Sequence, residues 1–99
     1  MLSLAQKIWQ PQDKVAKEIV SEAMVIVREK YENDPTFFSG KSVKGIVGGL
    51  FYLLGQQFDE ARTQREIAKS LSITEPTVRT SSRDWAETVQ NHFRNSLAE

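Results

Sequence analysis

The feature that most constrains the fold is a segment that is apolar on nearly every side. Residues 43–56 read VKGIVGGLFYLLGQ, and Ser42 is placed to cap a helix there. A helix without a continuous polar face must be enclosed by its neighbours. Gly48 and Gly49 each cost about 1 kcal/mol of helix propensity relative to alanine, so they predict that another helix passes very close. The segment is therefore predicted to be the central helix of an all-helical bundle.

The rest of the chain supplies helices to surround it. A short helix is predicted over residues 2–9, and Pro11 separates it from a long amphipathic helix over residues 12–31. The acidic residues of the long helix fall on its outward face and are predicted to be solvated. Pro35 lies in the loop that follows, and the tail, residues 91–99, is predicted to fray.

Residues 63–90 show the pattern of a helix-turn-helix. Thr63 and Glu66 form a T-x-x-E capping box, Thr74 is placed to cap a second helix, and Pro76 falls in the first turn of that helix. The apolar residues of both helices are predicted to form one buried face: Ile67, Ala68, Leu71, Ile73, Val78, Trp85 and Val89. The outward face of the second helix then either reaches a major groove or is simply the solvated side of a helical hairpin.

Composition limits the function classes. The 99 residues include 13 basic and 13 acidic side chains, so the formal net charge is zero. Since phosphate neutralisation supplies much of the affinity for DNA, any DNA binding is predicted to be weak alone or to need a partner. The absence of cysteine excludes disulfides and thiolate metal sites. The sequence has no signal peptide and no segment long enough to cross a bilayer, which predicts an intracellular protein without membrane contact, cytoplasmic or, in a eukaryote, nuclear.

Other candidate sites are weak. The GKS run at residues 40–42 resembles the end of a phosphate-binding loop, but the glycine required five positions before it is Pro35. His92 has no second ligand or nucleophile at a suitable spacing. Phe37 and Phe38 are predicted to fold over the core rather than to stack on a base. The sequence therefore predicts no metal, no cofactor and no enzymatic activity.

Two runs resemble one protein family. They read SGKSVKGIVGGLFYLL, residues 39–54, and RTQREIAKSLSITEPTVR, residues 62–79. Both are similar to the second cyclin-like repeat of archaeal transcription factor B and of its eukaryotic counterpart, transcription initiation factor IIB, and the resemblance extends over residues 8–89. It implies an all-α, five-helix cyclin-like domain with a C-terminal helix-turn-helix, and the length predicts one domain over residues 1–99.

The resemblance also implies a DNA site. In the family the last helix of this repeat enters the major groove beside the TATA element. By position Arg79 matches the base-contacting arginine, and Thr77 and Glu75 are predicted to lie beside it. Phosphate contacts are predicted at Lys41, Lys44, Arg62, Arg65 and Arg83. The implied partners are double-stranded promoter DNA and TATA-binding protein.

The chain departs from the family pattern at several positions. Pro76 stands where the family has an apolar contact residue. Ser82 replaces an aromatic residue and Trp85 replaces an aliphatic one, a pair of changes that we expect to compensate in volume.

Two functions follow, and the sequence leaves both open. The first is recognition of promoter DNA through the helix-turn-helix, together with a protein partner. The second is a cyclin-fold protein-interaction module without intrinsic DNA binding, which the zero net charge favours. Neither function specifies the oligomeric state.

Overall fold

The chain folds into helices joined by short connections. The computed structural model describes residues 1–9 and 14–98, with side chains as far as residue 95. The helices are α1 (Leu2–Ala5), α2 (Lys14–Asn33), α3 (Val43–Gln57), α4 (Gln64–Leu71) and α5 (Glu75–Ala98), with a 3₁₀ helix at Pro35–Phe38 between α2 and α3. The described ranges contain no strand, so the prediction of an all-α, five-helix fold is confirmed. The predicted break at Pro11 lies outside those ranges.

Helix α3 is the centre of the molecule, as its apolar sequence predicts. It packs against α2, α4 and α5, and Leu50, Phe51 and Leu54 have no exposed surface. The segment after α1 closes one end of the bundle: the Trp9 ring stands edge-on to Phe51 at 5.8 Å, and its Nε1 donates to the carbonyl of Glu60 at 3.1 Å. Burial of these large side chains supplies most of the stabilisation that a domain of this size has available.

Helices α3 and α5 cross at Gly49. A Cβ atom there would overlap the backbone and hydroxyl of Ser81 and the backbone nitrogen of Ser82. The prediction that a helix passes close to the glycine pair is confirmed. At Gly48 the nearest atom to such a Cβ is instead the side-chain tip of Ile73, at 2.9 Å. Gly49 is therefore the position that sets the distance between the two helix axes.

Helix α5 continues past residue 90 and makes contacts there, so the prediction of a frayed tail is wrong for residues 91–95. His92 Nε2 lies 2.8 Å from the carboxylate of Glu22, and His92 Nδ1 lies 3.9 Å from that of Glu29. The Phe93 ring meets the Phe58 ring edge-on at 6.5 Å. Because Glu22 and Glu29 lie on α2, the His92 contacts hold the end of α5 against α2, and the two acids are not simply solvated. The Phe93 contact holds it against the end of α3.

The two phenylalanines of the 3₁₀ helix fold inward, as predicted. Phe37 packs edge-on against the buried Trp85 ring at 4.6 Å between ring centroids. Phe38 lies 5.9 Å from Tyr31 on α2. The aromatic contacts therefore connect the α2–α3 loop to α2 and to the middle of α5.

Candidate nucleic-acid interface

Local sequence signals build the connection between α4 and α5. Thr63 Oγ1 accepts a hydrogen bond from the backbone N–H of Glu66 at 3.0 Å, as the capping box predicts. Ser72 ends α4 in the left-handed conformation, with φ 59°. Thr74 Oγ1 accepts from the backbone N–H of Thr77 at 3.2 Å and so caps α5. The result is a pair of helices joined by three residues, the local geometry of a helix-turn-helix.

Ser72 carries backbone strain, and relieving it is expected to stabilise the protein. A left-handed conformation costs a residue with a Cβ about 1–2 kcal/mol, whereas glycine adopts it freely. Ser72→Gly is therefore expected to raise the free energy of unfolding by roughly 0.5–1 kcal/mol in urea denaturation. Ser70→Gly, inside α4, is the matched control and should lower it by a similar amount. A loss of stability in Ser72→Gly would contradict the assigned backbone conformation.

One face of the helix pair is buried, and this orients the other face toward solvent. The predicted apolar residues lie in the core. Six of them are at most 4% exposed: Ile67, Ala68, Leu71, Val78, Trp85 and Val89. Ile73 is half-buried and packs against them. Ser82 is buried with them, and its Oγ donates to the carbonyl of Arg79 at 2.8 Å. The polar side of α5 therefore faces away from the bundle.

The predicted base-contacting residues are all exposed, but they do not share one side of α5. Arg79 follows Glu75 by one turn, about 40° around the helix, and Arg83 follows Arg79 by the same step. Thr77 lies about 160° from Arg79, on the side that faces the start of α3. Its hydroxyl is 2.7 Å from that of Thr74. Glu75, Arg79 and Arg83 thus form one outward row, which we call the α5 row, and Thr77 lies outside it.

The predicted phosphate-contacting residues divide into two groups. Lys41 forms an ion pair with Asp84 at 3.4 Å and lies 3.8 Å above the centre of the Phe37 ring. Arg62 donates to the carbonyls of Glu60 and Ala61 at 3.3 and 3.2 Å, and it also lies 3.5 Å from the Glu60 carboxylate. Both side chains are therefore held by contacts within the protein.

The remaining cations are available to a ligand. Lys44, Arg65 and Arg83 are exposed, and so is Arg79. None of the four forms an ion pair with another described residue. An unpaired guanidinium in water can exchange its hydration for a phosphate or a base edge without first breaking a contact in the protein.

Clefts flank the first turns of α5. One, of about 350 Å³, lies against the start of α3, and its lining includes the aromatic rings of Phe37 and Trp85 together with Thr77. The other, of about 530 Å³, lies beside α4 and is lined in part by Arg65 and Glu75. The first turns of α5 consequently stand as a ridge between two depressions.

Sequence reasoning missed the partners that immobilise Lys41. Asp84 lies 43 positions away in the chain, and no local pattern connects the two. It also missed the role of the Ile46 carbonyl, which accepts from Trp85 Nε1 at 2.9 Å and from Ser81 Oγ at 3.1 Å. These bonds satisfy the indole N–H and fix α5 against α3.

The family model described as "Transcription factor TFIIB repeat" matches residues 4–88, which include every helix from α2 to α4 and α5 as far as residue 88. The chain belongs to the transcription factor TFIIB repeat family. Its all-α architecture is accordingly the cyclin-like fold that the sequence runs at residues 39–54 and 62–79 implied.

The chain is similar to transcription initiation factors of several archaea. Transcription initiation factor IIB 1 of Thermococcus kodakarensis is 34% identical over 73 residues, which is 74% of this chain and 24% of the relative. Transcription initiation factor IIB of Pyrococcus furiosus is 33% identical over 76 residues, 77% of this chain and 25% of the relative. Transcription initiation factor IIB of Methanosphaerula palustris is 34% identical over 70 residues, which is 71% of this chain and 20% of the relative. The chain spans about a quarter or less of the length of these relatives.

No solved structure gives a significant match to the chain. Across residues 1–9 and 14–98, no helix is long and apolar enough to span a membrane. The same part of the chain brings together no group of three or more histidine, aspartate or glutamate side chains able to hold a metal ion.

Proposed function

We propose that this TFIIB repeat is a single DNA-binding domain that contacts promoter DNA through α5, without enzymatic activity and without a cofactor. The observation that carries the proposal is the α5 row. Arg79 and Arg83 stand one turn apart, both exposed, on a helix whose apolar side is buried, and neither is paired within the described residues. A helix presented in this way fits the width of a major groove.

Each member of the α5 row has a distinct role in this proposal. Arg79 forms paired hydrogen bonds with the O6 and N7 acceptors of a guanine, the commonest specific contact of arginine with DNA. Glu75, one turn earlier on the same side, accepts from the amino group of a neighbouring cytosine. Arg83, one turn later, reaches the phosphate backbone. Thr77 lies at the opposite edge of α5, where a helix in the groove meets the other strand.

Phosphate contacts are proposed on both sides of the α5 row. Lys44 lies near the start of α3 and Arg65 near the start of α4, and both are exposed. Lys41 and Arg62 are weaker candidates because each must first leave a carboxylate, Asp84 or Glu60, to reach a phosphate. With zero net charge, the domain is expected to bind DNA weakly alone. TATA-binding protein is the partner proposed to supply the missing affinity.

Arg79→Ala tests the base contact. The variant is expected to lose about 1–3 kcal/mol of binding free energy for a promoter duplex and to discriminate less between bases at one position. Fluorescence anisotropy with a set of single-base variants of the duplex measures both effects. Arg94→Ala is the control, since Arg94 is exposed on the same helix about 22 Å further along. Equal affinity of Arg79→Ala and the parent would remove the assigned role.

Salt dependence separates DNA binding from the alternative function. Binding driven by several phosphate contacts should weaken by about 10³-fold or more between about 50 and 200 mM salt. A protein-interaction module would show a shallow salt dependence or no binding to the duplex. An NMR titration with duplex, with and without TATA-binding protein, would identify the surface, because the proposal requires the amide signals of residues 74–83 to shift.

A further inference from the structure

A second surface, on the α2 side of the molecule, is apolar and exposed. It is a shallow groove between α2 and the start of α3, and we call it the α2 groove. Its lining includes Met24, Val27 and Tyr31 of α2 and Val43 of α3. Met24 is 50% exposed, Tyr31 62% and Val43 68%. Large apolar side chains grouped on the surface in this way mark a surface that another molecule covers.

Two side chains of opposite charge lie on the rim of the α2 groove and do not form an ion pair with each other. Arg28 and Glu32 belong to the same lining and are one turn apart on α2. No ion pair joins them, and neither pairs with another residue that the structure describes. This order, with the cation N-terminal to the acid, is the less favourable one for pairing along a helix. Both charges therefore remain available to a partner.

The positions of Arg28 and Glu32 allow two copies of α2 to face each other with opposite charges in contact. A two-fold axis perpendicular to α2, passing between Arg28 and Glu32, sets α2 antiparallel to a second α2. Each Arg28 then faces the partner's Glu32, and each Glu32 faces the partner's Arg28. Tyr31 lies between them in the sequence, next to the axis, and its exposed ring packs onto the apolar lining of the other groove. One patch thus supplies both the apolar centre and the charged rim of an interface.

We propose that the α2 groove binds a second copy of this chain in a symmetric dimer. Lys41 and Ile46 line both the α2 groove and the cleft at the start of α3, but Arg28 and Glu32 line only the α2 groove, and no residue of α4 or α5 does. The inference is therefore independent of the proposed function, and it is tested without DNA.

Charge reversal gives the decisive experiment, read by sedimentation equilibrium of the whole chain over a range of concentrations. Arg28→Glu places two pairs of like charges across the interface, and so does Glu32→Arg, so each variant alone should dissociate at least about tenfold more readily than the parent. An equimolar mixture of the two variants should form a heterodimer, because every facing pair is then opposite in charge. The double variant should dimerise like the parent.

The controls make each outcome informative. Arg94→Glu makes the same change in net charge as Arg28→Glu, at an exposed site on α5, and should leave the association unchanged. Circular dichroism verifies that each exposed substitution leaves the helices intact. A parent chain that is monomeric up to its solubility limit would overturn the proposal, and the groove would then belong to a different protein partner. A dimer that both single reversals leave intact would also overturn it, since association would use another face.

Discussion

Replacement of Trp85 by alanine is expected to lower the free energy of unfolding by about 3–5 kcal/mol, the cost of removing a large buried aromatic ring. The Trp85 side chain has no exposed surface and packs against Phe37 at 4.6 Å. Its indole N–H donates to the carbonyl of Ile46 at 2.9 Å, so the residue joins α5 to both α3 and the 3₁₀ helix. Urea denaturation followed by circular dichroism measures the loss.

Trp85→Phe separates the ring contacts from the hydrogen bond. Phenylalanine keeps most of the aromatic contact with Phe37 but cannot donate to Ile46. The Ile46 carbonyl retains its bond from Ser81 Oγ at 3.1 Å and is not left unpaired. The phenylalanine variant should therefore lose only about 1–2 kcal/mol, mainly through lost volume and one hydrogen bond. Equal losses in the alanine and phenylalanine variants would show that ring packing is not what stabilises this region.

Gly49→Ala is expected to be the other severe substitution, although it adds only a methyl group. The new Cβ would overlap the backbone of Ser81 and Ser82, which no side-chain rotation can relieve. Helices α3 and α5 would have to separate, and overpacking of this kind costs about 1–3 kcal/mol and sometimes more. The gain of about 1 kcal/mol in helix propensity offsets part of the cost. Because the overlap is with backbone atoms, we expect a packing cost at the upper end of that range and a net loss of about 2 kcal/mol.

Gly48→Ala is the matched control in the adjacent position of the same helix. Its Cβ meets the Cδ1 tip of Ile73 at 2.9 Å, and this flexible end can rotate away. The propensity gain should therefore roughly cancel the packing cost, leaving stability within about 1 kcal/mol of the parent. If thermal or urea unfolding ranked the two alanine variants equally, the close crossing at Gly49 would not be the reason for the glycine.

Much of this architecture was predictable because its signals are local. A hydroxyl before a helix caps it through atoms only three residues away, and the structure confirms Ser42, Thr63 and Thr74 in that role. The apolar positions of α4 and α5 repeat at the helical period, so the buried face of the hairpin, and with it the outward direction of Arg79, follows from spacing alone.

Whether each predicted site residue is paired within the protein could not be predicted from local signals. Lys41 and Lys44 look equivalent in the sequence, yet Lys41 is held by Asp84 on α5 and Lys44 is unpaired. The difference depends on which helix packs beside each residue. The angular offset between Thr77 and Arg79 does follow from helical geometry, but the contact of Thr77 with Thr74 needs the conformation of the turn.

The sequence by itself determined the main helices as far as residue 90, the caps of α3, α4 and α5, the central position of α3 and the family. These depend on hydrogen bonds within a few residues and on periodic burial, which a linear sequence encodes directly. Only the tertiary structure decided that the end of α5 is held against α2 through His92 and Glu22, which of the cations are free, and that α2 keeps an uncovered apolar groove. Those properties depend on contacts between residues far apart in the chain. A shift of one helix by a single turn, about 5.4 Å, would change which side chains meet across the helix interface.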